Sequence, residues 1–420
     1  MSADDARDLA RELARVAADD PSVDRAAVFG RLRAEAPAFY SAQLDAWVVS
    51  RHADVRAVLR DSQGFRAVTD GPGAPPYGRT FLHMEGREHA QKVGIVARRI
   101  RSQNALRDGL DDRVLSIARR TVSDLRHGEV VDLRRELAMW VPLLAITELT
   151  DLGHGEEFEQ WYRAVGSGGV ASVNDPGART RALTARDELE AFLAPYVAER
   201  RLRPGDDLVS ALATAEYEDQ PLGLAEIASS VVFLLAAGVE TTERVLASLL
   251  RHLALTPDAW SGLRDRRDDE DAVIALAAEA LRFFPPVNGL MRRTVTDVTI
   301  AGTTVPGDQR VCLLLASANR DPEVFEDPEA FRPDRFVGRG SAQFTAAGQI
   351  LPFGAGSHYC VGARLAQVEM VHALRELSAQ VARIEPAGEL PPDEGFMLRC
   401  PPSVPVVLHR DDQQGEEVVA

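Results

Sequence analysis

Leu351-Pro352-Phe353-Gly354-Ala355-Gly356-Ser357-His358-Tyr359-Cys360-Val361-Gly362-Ala363-Arg364 is the stretch on which the reading of this chain turns. Glycine and proline break regular structure on the near side of Cys360, and the run from Gly362 to about Arg383 has helical spacing. The cysteine therefore sits at the mouth of a helix. There, unsatisfied backbone N–H groups stabilise a thiolate, the nucleophilic and metal-binding form of the side chain. The glycines permit tight turns and let a flat ligand come close to the backbone. The alternative for a lone cysteine is a buried, inert thiol beside a turn.

Working outward, Ala272–Pro286 reads AVIALAAEALRFFPP, with Glu279 and Arg282 its only charges. An exposed i,i+3 pair adds about 0.2–0.5 kcal/mol to a helix. With nothing else polar nearby, this pair is expected to be buried and tightly matched. Further upstream lies Phe233-Leu234-Leu235-Ala236-Ala237-Gly238-Val239-Glu240-Thr241-Thr242, inside a predicted helix from about Leu224 to Ala254. Glycine costs a helix about 1 kcal/mol, and a threonine hydroxyl can bond the carbonyl four residues back, here that of Ala237, and bend it. Glu240 beside an apolar run is costly unless used, or else it marks where the polar face begins.

Helical spacing also covers Arg113–Leu125 and Arg179–Arg201, while Val298–Val305 alternates around a turn and Arg310–Ala316 reads as a buried strand. Two Gly/Pro-rich segments, Asp70–Gly78 and Gly166–Gly177, are loops: mobile lids or plain connectors. The chain has 420 residues, 48 basic against 64 acidic side chains, and a net charge of -16. That balance disfavours nucleic acid and anionic membranes as main partners. Three scattered cysteines, Cys312, Cys360 and Cys400, form neither a disulfide framework nor a CxxC zinc site. No signal-peptide pattern opens the chain, and the apolar stretches Leu137–Ile146 and Val231–Val239 fall short of the roughly 20 residues that span a bilayer. A cytoplasmic protein is expected.

The pattern Phe-Gly-x-Gly-x-x-x-Cys-x-Gly arises by chance in on the order of one chain in ten thousand of this length. It resembles the haem-binding loop of the cytochrome P450 monooxygenases of soluble bacterial type. Thiolate is the axial ligand that pushes electron density onto haem iron. The resemblance implies Cys360 as that ligand, Phe353 packing beside it, and His358 reaching a haem propionate. Ala236–Thr242 is similar to the family's A-G-x-[DE]-T-T motif, which implies an oxygen-binding groove, with Thr241 ordering water and Glu240 relaying protons. Glu279 and Arg282 match a structural pair, joined by Arg335 of Phe331–Phe336. Arg292, and His89 of Met84-Glu85-Gly86-Arg87-Glu88-His89, match propionate ligands. Four residues after that histidine the family usually has an arginine. Here the position is Val93, beside Lys92.

What the resemblance implies is a mainly α, single-domain triangular prism with a small β region. Residues 21–410 would form it, flanked by an N-terminal tail (1–20) that can be partly disordered and a flexible acidic tail (411–420). The implied activity is insertion of one oxygen atom from O2 into a mostly apolar organic substrate, with haem b as cofactor. A bacterial terpenoid, polyketide or peptide scaffold is the expected substrate class. Pocket walls are expected from the two loops, Phe233–Ala237, Val287–Met291 and Phe396-Met397. With no reductase domain expected in the chain, electrons would come from a separate ferredoxin and its reductase, to a monomeric enzyme. Two other readings stay open: a peroxide-driven peroxygenase, and a non-catalytic haem-thiolate sensor. The Glu240/Thr241 pair favours the monooxygenase, since neither alternative needs a proton relay.

Overall fold

The computed structural model describes residues 3–68, 78–100, 109–153, 156–167 and 176–410. Helices make up most of it, around the 32-residue helix Leu224–Leu255. Its length and composition would suffice to cross a membrane, but Ile227 through Val239 and Val245 through Ala254 pack into two apolar clusters of the core. The Glu270–Phe283 helix begins at Asp269, whose carboxylate accepts from the Ala272 N–H, and ends just before Pro285-Pro286, where proline disfavours the helical conformation. The last helix, Ala363–Gln380, starts directly after Gly362.

The β region is small. A five-stranded sheet runs in the order Ala38–Ser41, Ala46–Val49, Arg310–Leu314, Gly289–Thr294 and Phe65–Ala67. Val311 pairs with Arg292, which fixes that arginine on the strand beside the central one. Arg383–Pro386, Pro405–His409 and Val130–Asp132 form a second sheet. The expected turn in Val298–Val305 is a hairpin, Ile300 opposite Thr303.

Two expectations need correction. Residues 1–20 carry a helix, Ala3–Ala17, whose Leu9, Leu13 and Val16 are buried against Val28, Phe29 and Leu32. These fall on one helical face, so the segment is anchored by apolar burial although most of its residues are polar. The strand expected over Arg310–Ala316 stops at Leu314, and Leu315–Ala318 turns into a short helix. The 411–420 tail lies outside the described residues.

One buried constellation ties these parts together. Glu279 and Arg282 are both fully buried. They pair through two hydrogen bonds of 2.7 Å. Arg282 also donates to the carbonyls of Asn319, Pro328 and Ala330. Glu279 also accepts from the Arg335 guanidinium at 3.1 Å and from the Arg332 N–H at 2.7 Å. Every charge is matched, as burial requires, and the matching pins the 319–336 coil to the Glu270–Phe283 helix, while the Leu351 N–H at the start of the cysteine loop donates to Asn319 at 2.9 Å.

Candidate active site

The cysteine loop is built by its glycines. At Gly356 the backbone is left-handed (φ 73°), and a Cβ there would lie 2.6 Å from the Leu59 carbonyl oxygen, so no other residue fits. The turn closes with the Cys360 N–H donating to the Phe353 carbonyl at 2.9 Å, and the Phe353 ring packs between Phe344 and Tyr359. Cys360 is exposed, whereas Cys312 and Cys400 are buried, and none of the three is in a disulfide. Burial pushes the Cys312 thiol up to about 12 and raises Cys400 as well. Cys360 alone stands at a helix mouth where a metal can reach it.

Val361, Leu365 and Val368 share an apolar cluster with Phe233, Ala236, Ala237 and Val239. The long helix packs against the cysteine helix, and the Thr242 hydroxyl meets the Glu369 carboxyl across the contact. Thr241 donates its hydroxyl to the Ala237 carbonyl at 2.9 Å, the back-bond expected from the sequence. Gly238 serves a different purpose from the groove. A Cβ at this position would come within 2.9 Å of Ile146 Cδ1, so glycine is what lets the Trp140–Thr150 helix approach.

The propionate candidates converge. The His89 and His358 rings are 4.1 Å apart. His358 Nε2 lies 3.0 Å from a Glu85 carboxylate oxygen. Burial and the neighbouring His358 lower the pKa of His89, favouring its neutral form. Arg292 is lowered by burial, opposed by the charge of Glu85. Nitrogen donors thus gather around one carboxylate, the chemistry a haem propionate would use. The donor set and the glycine-cradled thiol together fit a haem. Lys92 does not replace the arginine missing at Val93, since it pairs with Glu88 and Glu226, and Val93 packs against the apolar cluster.

Glu240 is where the structure adds most. Its carboxylate accepts from Arg244 at 2.7 Å, and Arg244 also contacts the Cys400 sulfur at 3.3 Å. Beside it, Glu243 accepts from Arg134 at 2.8 Å and from the Tyr162 hydroxyl. Burial and the neighbouring carboxylates hold Tyr162 well above its ordinary pKa, so the phenol keeps its proton. The sequence reading stopped at Thr242. Its missed signal was Glu243-Arg244, two more charges in the middle of a buried helix.

Glu369, nine residues after Cys360, was also missed. It is fully buried, and burial raises its pKa from 4.5 to about 8, opposed by the Thr242 hydroxyl. Between those two values the folded chain holds a proton that the unfolded chain has lost. Stability therefore falls as pH rises through that window, by up to about 1.4 kcal/mol per unit. Glu369→Gln is expected to remove this slope. Its stability gain over the parent should grow up to about pH 8 and then level off, as read from urea unfolding at a series of pH values. An unaltered slope would mean that Glu369 is ionised in the fold.

Of the expected pocket walls, Val287–Met291 and Phe396-Met397 come together: the Asn288 N–H donates to the Met397 carbonyl at 2.7 Å, and Met397 packs on Gly289. Phe233 instead meets Phe81 edge to face. The two loops fall largely outside the described residues.

Comparison with known proteins agrees with this geometry. The family model for cytochrome P450 matches residues 271–379. Erythromycin C-12 hydroxylase of Saccharopolyspora erythraea is 32% identical over 84% of this chain and 86% of its own length. Pulcherriminic acid synthase of Bacillus subtilis is 30% identical over 82% of this chain and 85% of its own. The solved structure of open cytochrome P450 EryK from S. erythraea superposes with a TM-score of 0.79 at 30% identity, covering 95% of this chain and 98% of that one. With that extent of likeness, the chain belongs to the cytochrome P450 family. Its fold is the mainly helical P450 fold, and it is a P450 monooxygenase by class.

Proposed function

We propose that this enzyme inserts one oxygen atom from O2 into a mostly apolar bacterial natural product, using electrons from a separate ferredoxin and reductase. The observation that carries the reading is the exposed Cys360 in its glycine-built turn at the head of the Ala363–Gln380 helix, against which the long motif-bearing helix packs. The likeness to an erythromycin C-12 hydroxylase and a pulcherriminic acid synthase supports the substrate class. Haem, when bound, supplies the activation of molecular oxygen. Cys360 would ligate it as thiolate, and His89, His358 and Arg292 would hold its propionates.

The chain's own residues would then manage protons. The Thr241 hydroxyl has its proton committed to Ala237, so its oxygen presents lone pairs to a water in the groove. Glu240 would pass protons to that water, and Arg244 sets where its carboxylate rests. Thr241→Ala is therefore expected to keep substrate binding and NADH consumption but divert much of the flux to hydrogen peroxide. Glu240→Gln should instead slow turnover and enlarge the solvent isotope effect. Product and peroxide per NADH consumed, with a surrogate ferredoxin system, check both. A fully coupled Thr241→Ala enzyme would reduce Thr241 to a helix-bending residue.

The ferredoxin would dock near the Cys360 helix through local positive charge. Arg364, Arg98, Arg99 and Arg101 are the candidates for that charge; Arg99 is paired with Asp206, and Arg101 lies outside the described residues. Arg364, partly exposed and bonded to Gln367 at 2.6 Å, is the best placed. Reduction should slow with rising salt as screening weakens steering, and Arg364→Glu should weaken coupling while leaving haem bound. Rates that ignore both salt and the substitution would remove Arg364 from the docking face.

A further inference from the structure

We propose that the cavity between the Arg25–Glu35 helix, the end of the Glu270–Phe283 helix and the 393–399 segment binds a small organic anion, a carboxylate on an aromatic or apolar body. The cavity has a volume of about 320 Å³, at the lower end of small-molecule pockets. Its charged lining is four arginines, Arg25, Arg251, Arg320 and Arg399, against Glu329 and Asp393. In a chain of net charge -16, that local excess of cations is unusual. None of the four arginines belongs to the haem or proton machinery.

Three of the four arginines are matched by the protein itself. Arg251 donates to the Pro391 carbonyl at 2.6 Å, Arg320 pairs with Glu329, and Arg399 pairs with Asp19 at 2.6 Å. Asp393 is engaged by the Ser248 hydroxyl at 3.0 Å. Arg25 is the exception. Its two terminal guanidinium nitrogens are buried and have no hydrogen-bond partner, and its contacts are the rings of Phe29 (4.9 Å) and Phe396 (5.8 Å). Burial and repulsion from Arg399 lower its pKa to about 9, although the charges of Asp19 and Asp393 act the other way.

A buried guanidinium without an acceptor is costly, and like-charged neighbours add to the cost. A carboxylate relieves both, because its two oxygens match the guanidinium fork. Phe29, Phe283 and Phe284 supply the apolar wall. Inorganic phosphate would satisfy the charge but leave that wall uncovered, so an organic body is favoured.

The test is calorimetric titration of the haem-loaded enzyme with benzoate, inorganic phosphate and benzyl alcohol, with the Soret band followed in parallel. Benzoate should bind saturably at one site per chain without moving the Soret band, and the other two should bind at least tenfold more weakly. Arg25→Gln should weaken benzoate at least tenfold while the protein unfolds at the same or a higher temperature. Ala26→Phe, which fills the cavity and keeps all four arginines, should lose it equally. Absent benzoate binding, binding unchanged in both variants, or binding that shifts the Soret band and survives Arg25→Gln would each overturn the site. Phosphate binding as tightly as benzoate would overturn the organic ligand. A failed haem assignment would instead show as a missing Soret band before any titration.

Discussion

Cys360→Ala is expected to abolish the red-shifted Soret band of the reduced carbon monoxide complex, while Cys312→Ala and Cys400→Ala leave it in place. The difference follows from where the three thiols sit. Cys312 lies on the central strand, 1% exposed, with its thiol pushed up to about 12. Cys400 is 2% exposed and turned to Arg244. Only Cys360 combines exposure, a glycine-built turn and the N–H groups of a helix start, which together favour thiolate ligation. Haem content, measured separately, distinguishes loss of the thiolate from loss of the cofactor. A normal band in the Cys360 variant would overturn the assignment of the site.

Glu279→Ala is expected to destabilise the protein by about 3–5 kcal/mol, because it strands the buried Arg282 guanidinium and part of Arg335 without a counter-charge. A useful contrast is Glu129, whose ion pair with Arg126 is exposed on both sides; Glu129→Gln should change stability by less than about 1 kcal/mol. Urea midpoints of the two variants at one pH and salt concentration give the comparison. Similar losses in both would mean that the Glu279 site is hydrated and is not the sealed junction described above.

The parts legible in the sequence share a physical character: they are polar or glycine residues set in otherwise apolar surroundings. Glu279 and Arg282 stood alone in an apolar helix, so their pairing could be read from spacing. Thr241 could be assigned its bond to Ala237 because both ends lie on the same helix. The Cys360 turn was marked by its own glycines. What escaped was partner choice across the fold. Nothing local says that Glu85 should meet His358, 273 positions away, or that Glu243 should draw Arg134 and Tyr162 from two other segments. Glu369 looked like one more polar residue on a long helix, and only tertiary packing makes it fully buried. The N-terminal helix failed for another reason: three buried side chains outweigh a polar composition once a neighbouring helix is there to receive them.

Gly238 constrains how this pocket can change over time. Its missing Cβ is replaced by the tip of Ile146 on a crossing helix, so the two positions share one space. A lineage, or an engineer, that first introduced Gly238→Ala would force the Ile146 side chain to give way, at a cost set by the room its tip has to rotate. One that first shortened Ile146 to valine would open the space and could then accept alanine at 238 with little strain. What each of the two positions tolerates therefore depends on the side chain at the other.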